Sequence, residues 1–247
     1  MKILVIANSF GTDAVRYLYG IARAAEEKIK VVNLYIGGCS LYRHYRNMLS
    51  EEKAYSYELN GMTSGLFVSM KEALLSDEWD TVVMQQSSPL SGCPETYEPY
   101  LSELSAYVKK MAPAAKQYLQ ETWTYDPANK YFLTMPYHTR EEMIPAVKSA
   151  YREAAKRIGA TGLIPSMDAM RKLYDEKGGD VTYRDKHHAS LGIGRYLLGC
   201  VWFMTLFGKD LEGNPFRDFD EPVSEEDVLV AQRLAREAVL ENGIFLN

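Results

Sequence analysis

Four short segments hold residue types that do chemistry together. Ser9 follows an apolar run and precedes an amphipathic stretch. A hydroxyl in that place stands at a strand end near the positive pole of a helix, where a nucleophile is exposed and held. An ordinary turn serine or a helix cap would look the same. Asp185 lies three residues before His188, next to His187, and two of the chain's four histidines fall here. In a tight turn that spacing puts a carboxylate on Nδ1 of His188, leaving Nε2 to take a proton. A solvated polar loop is the plain alternative. Asp185, His187 and His188 also suggest a metal site, but no further His, Cys or Asp cluster supplies the remaining ligands. Gly37-Gly38 offers unhindered backbone N–H groups of the kind an oxyanion needs, or simply a turn with positive φ. Gln85-Gln86 ends an apolar run, where an amide faces a site or caps the sheet edge.

These segments need elements to position them. Strands are expected at Ile3–Ala7, Val31–Ile36, Thr81–Gln85, Lys116–Glu121 and Leu163–Pro165, all short apolar runs. Helices alternate with them. Asp13 is expected to cap the first, whose apolar face is Val15, Leu18, Ala22 and Ala25. Ser69 with Glu72 and Thr139 with Glu142 have capping-box spacing, and Pro145 sits in early turns where it costs least. Glu98–Met111 reads as a helix. Ser190 is expected to cap a helix rich in Leu197, Leu198, Val201 and Phe203, and Ser224 opens a last helix closed by Gly243. Between Ala54 and Val68, alternating Tyr55, Tyr57 and Leu59 precede Asn60-Gly61, the signature of a β-hairpin inserted into the pattern. Alternating strands and helices predict a three-layer α/β/α sandwich on a five-stranded parallel sheet, one domain over residues 1–247. Such sheets carry their sites at the C-terminal strand ends, where Ser9, Gly37-Gly38 and Gln85 fall.

Composition narrows the partners. The 247 residues are 47% hydrophobic and 25% charged, with a net charge of −5 and no basic stripe, so nucleic acid is not expected. Three cysteines without a CxxC pair give neither a disulfide framework nor a zinc pattern. No apolar run spans a membrane, and Met1-Lys2 leads into a strand rather than a signal peptide, so a cytoplasmic location is expected.

The order of the four segments resembles the SGNH (GDSL-like) hydrolase superfamily, and most closely a bacterial branch with a Gly-Asn-Ser-Phe-Ser-type opening. The matching residues are Ala7 to Gly11, Gly37 to Leu41 with His44, Val82 to Gln85, Thr122 to Tyr125, and Asp185 to Ser190, within about residues 1 to 208. The resemblance implies a flavodoxin-like fold, Ser9 as nucleophile, His188 as base and then acid, and Asp185 orienting it. It implies an oxyanion hole from the N–H groups of Ser9 and Gly38, with Gln85 where the superfamily usually has asparagine. His44, Trp123 and Tyr125 are candidate pocket residues. Ala7 and Asn8 depart from the Gly-Asp-Ser form. The implied activity is ester hydrolysis without metal or organic cofactor, with a carbohydrate O-acetyl ester as favoured substrate. Two rivals remain: a flavodoxin-like protein cradling a phosphate at Ser9–Asp13, and a non-catalytic carbohydrate-binding module using the 18 tyrosines and three tryptophans. The oligomeric state is left open.

Overall fold

Ile3 to Ala7 is apolar at every position, so it needs cover on both faces. In the computed structural model, which describes all residues except Phe245 and Asn247, it becomes β1 (Lys2–Ala7), and Ile3 to Ala7 are fully buried. The chain then forms α1 (Ser9–Val15), α2 (Leu18–Ala24), β2 (Lys30–Tyr35), α3 (Leu41–Ser50), β3 (Tyr55–Leu59), β4 (Met62–Val68) and α4 (Met70–Leu75). There follow β5 (Thr81–Met84), α5 (Tyr100–Met111), β6 (Lys116–Gln120), α6 (Arg140–Ile158) and β7 (Gly162–Ile164). Four helices complete the fold: α7 (Ser166–Lys177), the short α8 (Gly179–Thr182), α9 (Ile193–Phe207) and α10 (Glu225–Glu241).

The sheet order is β4-β3-β2-β1-β5-β6-β7. β2, β1, β5, β6 and β7 are parallel. This is the doubly wound order in which the chain goes from β1 to one side and then returns to the other, leaving a crevice at the C-terminal ends beside β1. The hairpin extends the sheet: β3 pairs antiparallel with β2, raising the expected five strands to seven. Its turn is Asn60-Gly61, both with positive φ, as a tight hairpin turn requires.

One face of the sheet is covered by α3, α4, α5 and α6, the other by α1, α2, α7, α9 and α10. Nearly every side of α9 is apolar because it is covered on every side. α1, α2 and α7 pack on it from within, and α10 covers it with Val228, Ala231, Leu234, Ala235 and Val239. Gly199 permits close approach: a Cβ there would lie 2.7 Å from Ile21 Cδ1. The Ser69–Glu72 capping box forms as expected, whereas at α6 only Thr139 caps and Glu142 turns to the N–H of His138. Ser190 Oγ accepts from Gly194 N, although α9 itself starts at Ile193. The sequence patterns missed α3 and α7. The buried stripe of α3 is Leu41, His44, Asn47 and Met48, half of it polar. Among the described residues no helix is long and apolar enough to cross a membrane.

Candidate active site

Ser9 is placed by the residue before it. Asn8 is the extended N-cap of α1, and its Oδ1 accepts from Phe10 N at 3.0 Å. The helix therefore starts at Ser9, and the expected cap, Asp13, lies inside it. Asn8 also joins three strand ends: Nδ2 donates to Cys39 O after β2 at 3.1 Å, and Oδ1 accepts from Gln85 Nε2 after β5 at 2.6 Å.

Ser9 Oγ lies 2.8 Å from His188 Nε2, and His188 Nδ1 lies 2.6 Å from Asp185 Oδ2. The other carboxylate oxygen accepts from His188 N at 2.8 Å. Asp185, His188 and Ser9 thus form one hydrogen-bonded line across 179 residues of chain. Partial burial pushes the Asp185 carboxyl up, but the hydrogen bonds from the His188 ring and backbone outweigh it and bring it down to about 2. Burial, then the neighbouring His188, lowers His187, which favours its neutral form.

The segment carrying Asp185 and His188 is a closed loop. Tyr183 bridges Ala189, Arg184 N donates to His188 O, and Ser190 N to Thr182 O. Trp123 Nε1 donates to His187 O at 2.7 Å, and Asp126 N to Lys186 O at 2.9 Å. Asp13 anchors the loop from α1. Fully buried, its carboxylate accepts from Arg184 at 2.9 and 3.0 Å, Arg195 at 2.9 Å and Ala189 N at 3.2 Å. Asp13 comes four residues after Ser9, one helical turn on, and that spacing was the available signal for its role.

A cavity of about 290 Å³ opens over Ser9 and His188. Gly38 lines it at φ +61°, a conformation that favours glycine. Tyr125 lines it too, its hydroxyl 2.6 Å from Ser88 Oγ. Tyr35, Ser87 and Tyr131 also line it and were not singled out in the sequence. Three expected residues lie elsewhere. Gln85 is 1% exposed beneath Asn8 rather than at the cavity wall, because its side chain turns to the N-cap amide. His44 is fully buried behind the glycine turn, its Nδ1 3.0 Å from Tyr55 Oη and 3.5 Å from Cys39 Sγ. Burial lowers it to about 3, so it is neutral. Trp123 is buried as a support, stacked on Phe10 at 3.9 Å. Gln86, not Gln85, caps the sheet edge, accepting from Leu41 N and Ser87 N. Ligand atoms of Asp185, His187 and His188 lie within 4.8 Å of one another. Both His188 nitrogens already face Ser9 and Asp185, so a metal there would compete with that line.

Comparison with curated proteins finds no match. Among solved structures, a DUF4886 family protein from Bacteroides uniformis is 31% identical, with TM-score 0.90 over 97% of this chain and 95% of that one. A protein from Slackia heliotrinireducens assigned to the SGNH hydrolases is 22% identical, with TM-score 0.57 over 82% and 96%. The psychrotrophic esterase EstA from Pseudoalteromonas sp. is 15% identical, with TM-score 0.52 over 82% and 94%. The last two share the fold. The family described as a domain of unknown function, DUF4886, matches residues 2–238. The chain belongs to the DUF4886 family and has the SGNH hydrolase fold.

Proposed function

We propose that this protein is a serine esterase that works through an acyl-enzyme on Ser9. The observation that carries the reading is the unbroken Asp185–His188–Ser9 line at 2.6 and 2.8 Å, opening on a cavity. Ser9 Oγ attacks the ester carbonyl while His188 Nε2 takes its proton. Asp185 holds the ring in the tautomer that frees Nε2 and stabilises the imidazolium that forms. The N–H groups of Ser9 and Gly38 are the proposed donors to the oxyanion. His188 then gives its proton to the departing alcohol, and water repeats the sequence to release the acid. Cys39 is no rival nucleophile, because burial pushes its thiol up to about 12.

The favoured substrate is an acetyl ester of a carbohydrate. Two features support it. The cavity is small, and Tyr35, Tyr125 and Tyr131 on its walls combine ring faces with hydroxyls. A phosphate-binding role would leave the Asp185–His188 pair without a task.

A fluorophosphonate probe tests the nucleophile. The expected result is one adduct, on Ser9, absent in Ser9→Ala and in His188→Ala. Equal labelling of folded Ser9→Ala would sink the assignment. Acetate release from O-acetylated sugars, lost in Ser9→Ala, tests the substrate class.

A further inference from the structure

The sheet face that carries Ser9 continues outward from the cavity without cover. Its top row is set by register: Ala7 pairs with Tyr35, Tyr35 with Ser56, and Ser56 with Phe67. Laterally paired residues share a face. That face is the one α1 covers, since a Cβ on Gly11 would meet Ala7 Cβ. One row down, Glu58 reaches Thr12 and Asn33 on the same side. The opposite face of β3 is filled by Tyr55, fully buried against His44. On the α1 side, Tyr35 and Ser56 are half-buried and Phe67 is 63% exposed. Tyr35 is also a wall of the cavity over Ser9. The row is therefore a shelf three strand spacings across, roughly 14 Å, from the foot of Ser9 to an uncovered aromatic ring.

We propose that this shelf binds the alcohol half of the substrate, and that this half is a sugar chain rather than a single unit. The proposal rests on the esterase reading of Ser9 and extends it. The row alternates ring and hydroxyl, Tyr35, Ser56, Phe67, with the half-buried Thr12 beside it. A sugar chain presents the complement, apolar ring faces edged with hydroxyls. A fatty chain wants an enclosed apolar channel, and this surface is open and carries hydroxyls. A second copy of this chain adding its own strand is disfavoured at β4. Ser64 Oγ accepts from Leu66 N and Thr63 Oγ1 from Gly65 N, and Gly65 has φ +75°. Ser64 Oγ also donates to Tyr57 O of β3, so this is a bulge against β3, and a bulge bends and twists the outer edge that an added strand would need straight.

The test compares two esters on wild type and Phe67→Ala. With O-acetylated xylotetraose, kcat/KM should fall about five-fold through KM, the loss expected of one aromatic stacking contact. With p-nitrophenyl acetate, whose short alcohol half does not reach as far as Phe67, both constants should stay unchanged. Calorimetry of O-acetylated xylotetraose on Ser9→Ala and on Ser9→Ala/Phe67→Ala reads the shelf without turnover, and only the first should bind well. Inactivity of wild type on both esters defeats the esterase reading, while the calorimetry still decides the shelf. Equal constants or equal binding with and without Phe67 overturns the shelf. So does turnover of p-nitrophenyl acetate with neither turnover nor binding of the oligosaccharide. A fall in molecular mass on Phe67→Ala without a kinetic change also overturns it, in favour of an interface between copies.

Discussion

Asp185 spends both carboxylate oxygens on His188, one on the ring and one on the backbone N–H. It therefore sets the tautomer and the place of the ring together. Asp185→Asn keeps the shape but presents an amide to Nδ1, so probe labelling of Ser9 should slow by about 10³–10⁴-fold with little change in Tm. A loss below ten-fold would mean that His188 does not depend on it. The carboxyl is held below its ordinary value of 3.8, at about 2. Its stabilising contribution is complete above the ordinary value and is lost as pH falls toward about 2. A decline in activity between neutral pH and pH 5 thus belongs to another group. The types and spacings of Ser9, Asp185 and His188 were suggestive, because a serine at a strand end and an aspartate three residues before a histidine are local patterns, but it took the order of all the segments and the family resemblance to join them. The place of Gln85 was not legible. Whether an amide meets the oxyanion or the N-cap depends on Asn8, 77 residues away in the chain.

At the scale of elements, the site is α1 docked to the loop between Thr182 and Ser190, and Asp13 is the joint. The sequence suggested Asp13 as a helix cap by residue type, but Asn8 takes that place and frees Asp13 for the interior. Its partners, Arg184 and Arg195, sit far along the chain, so the pairing left no local trace beyond the one-turn spacing of Asp13 from Ser9. Asp13→Asn leaves two arginines facing a neutral amide. Breaking a buried pair costs about 3 kcal/mol or more, which corresponds to a Tm fall on the order of 10 °C. Labelling of Ser9 should slow as well, because the loop that carries His188 loses its tether. A scan of Tm with parallel probe kinetics checks both. An unchanged Tm would show that the loop is held by its other contacts, among them those from Trp123, Asp126 and Asn129.

At the scale of the molecule, alternating strand and helix patterns were enough to foresee a parallel sheet with Ser9 at its C-terminal edge. They did not reveal that the hairpin joins the sheet, since pairing of β3 with β2 is long-range and either edge would accept it. Polar residues buried between layers were equally hidden, and one of them makes stability depend on pH. Glu121 follows β6 and is 1% exposed, with Asp168 near it. Burial first, and then the Asp168 charge, push its carboxyl from 4.5 up to about 7. A raised carboxyl binds its proton longer in the folded chain than in the unfolded one. Its stabilising contribution is therefore whole below 4.5 and is lost as pH rises to about 7. At about 1.4 kcal/mol for each pH unit of displacement, the loss is on the order of 3 kcal/mol. Glu121→Gln removes the ionisation and keeps the shape. Its Tm should exceed that of wild type by up to about 10 °C at pH 8, and the gap should close near pH 4. A gap of equal size at both pH values would place the effect in packing and hydrogen bonding rather than in charge.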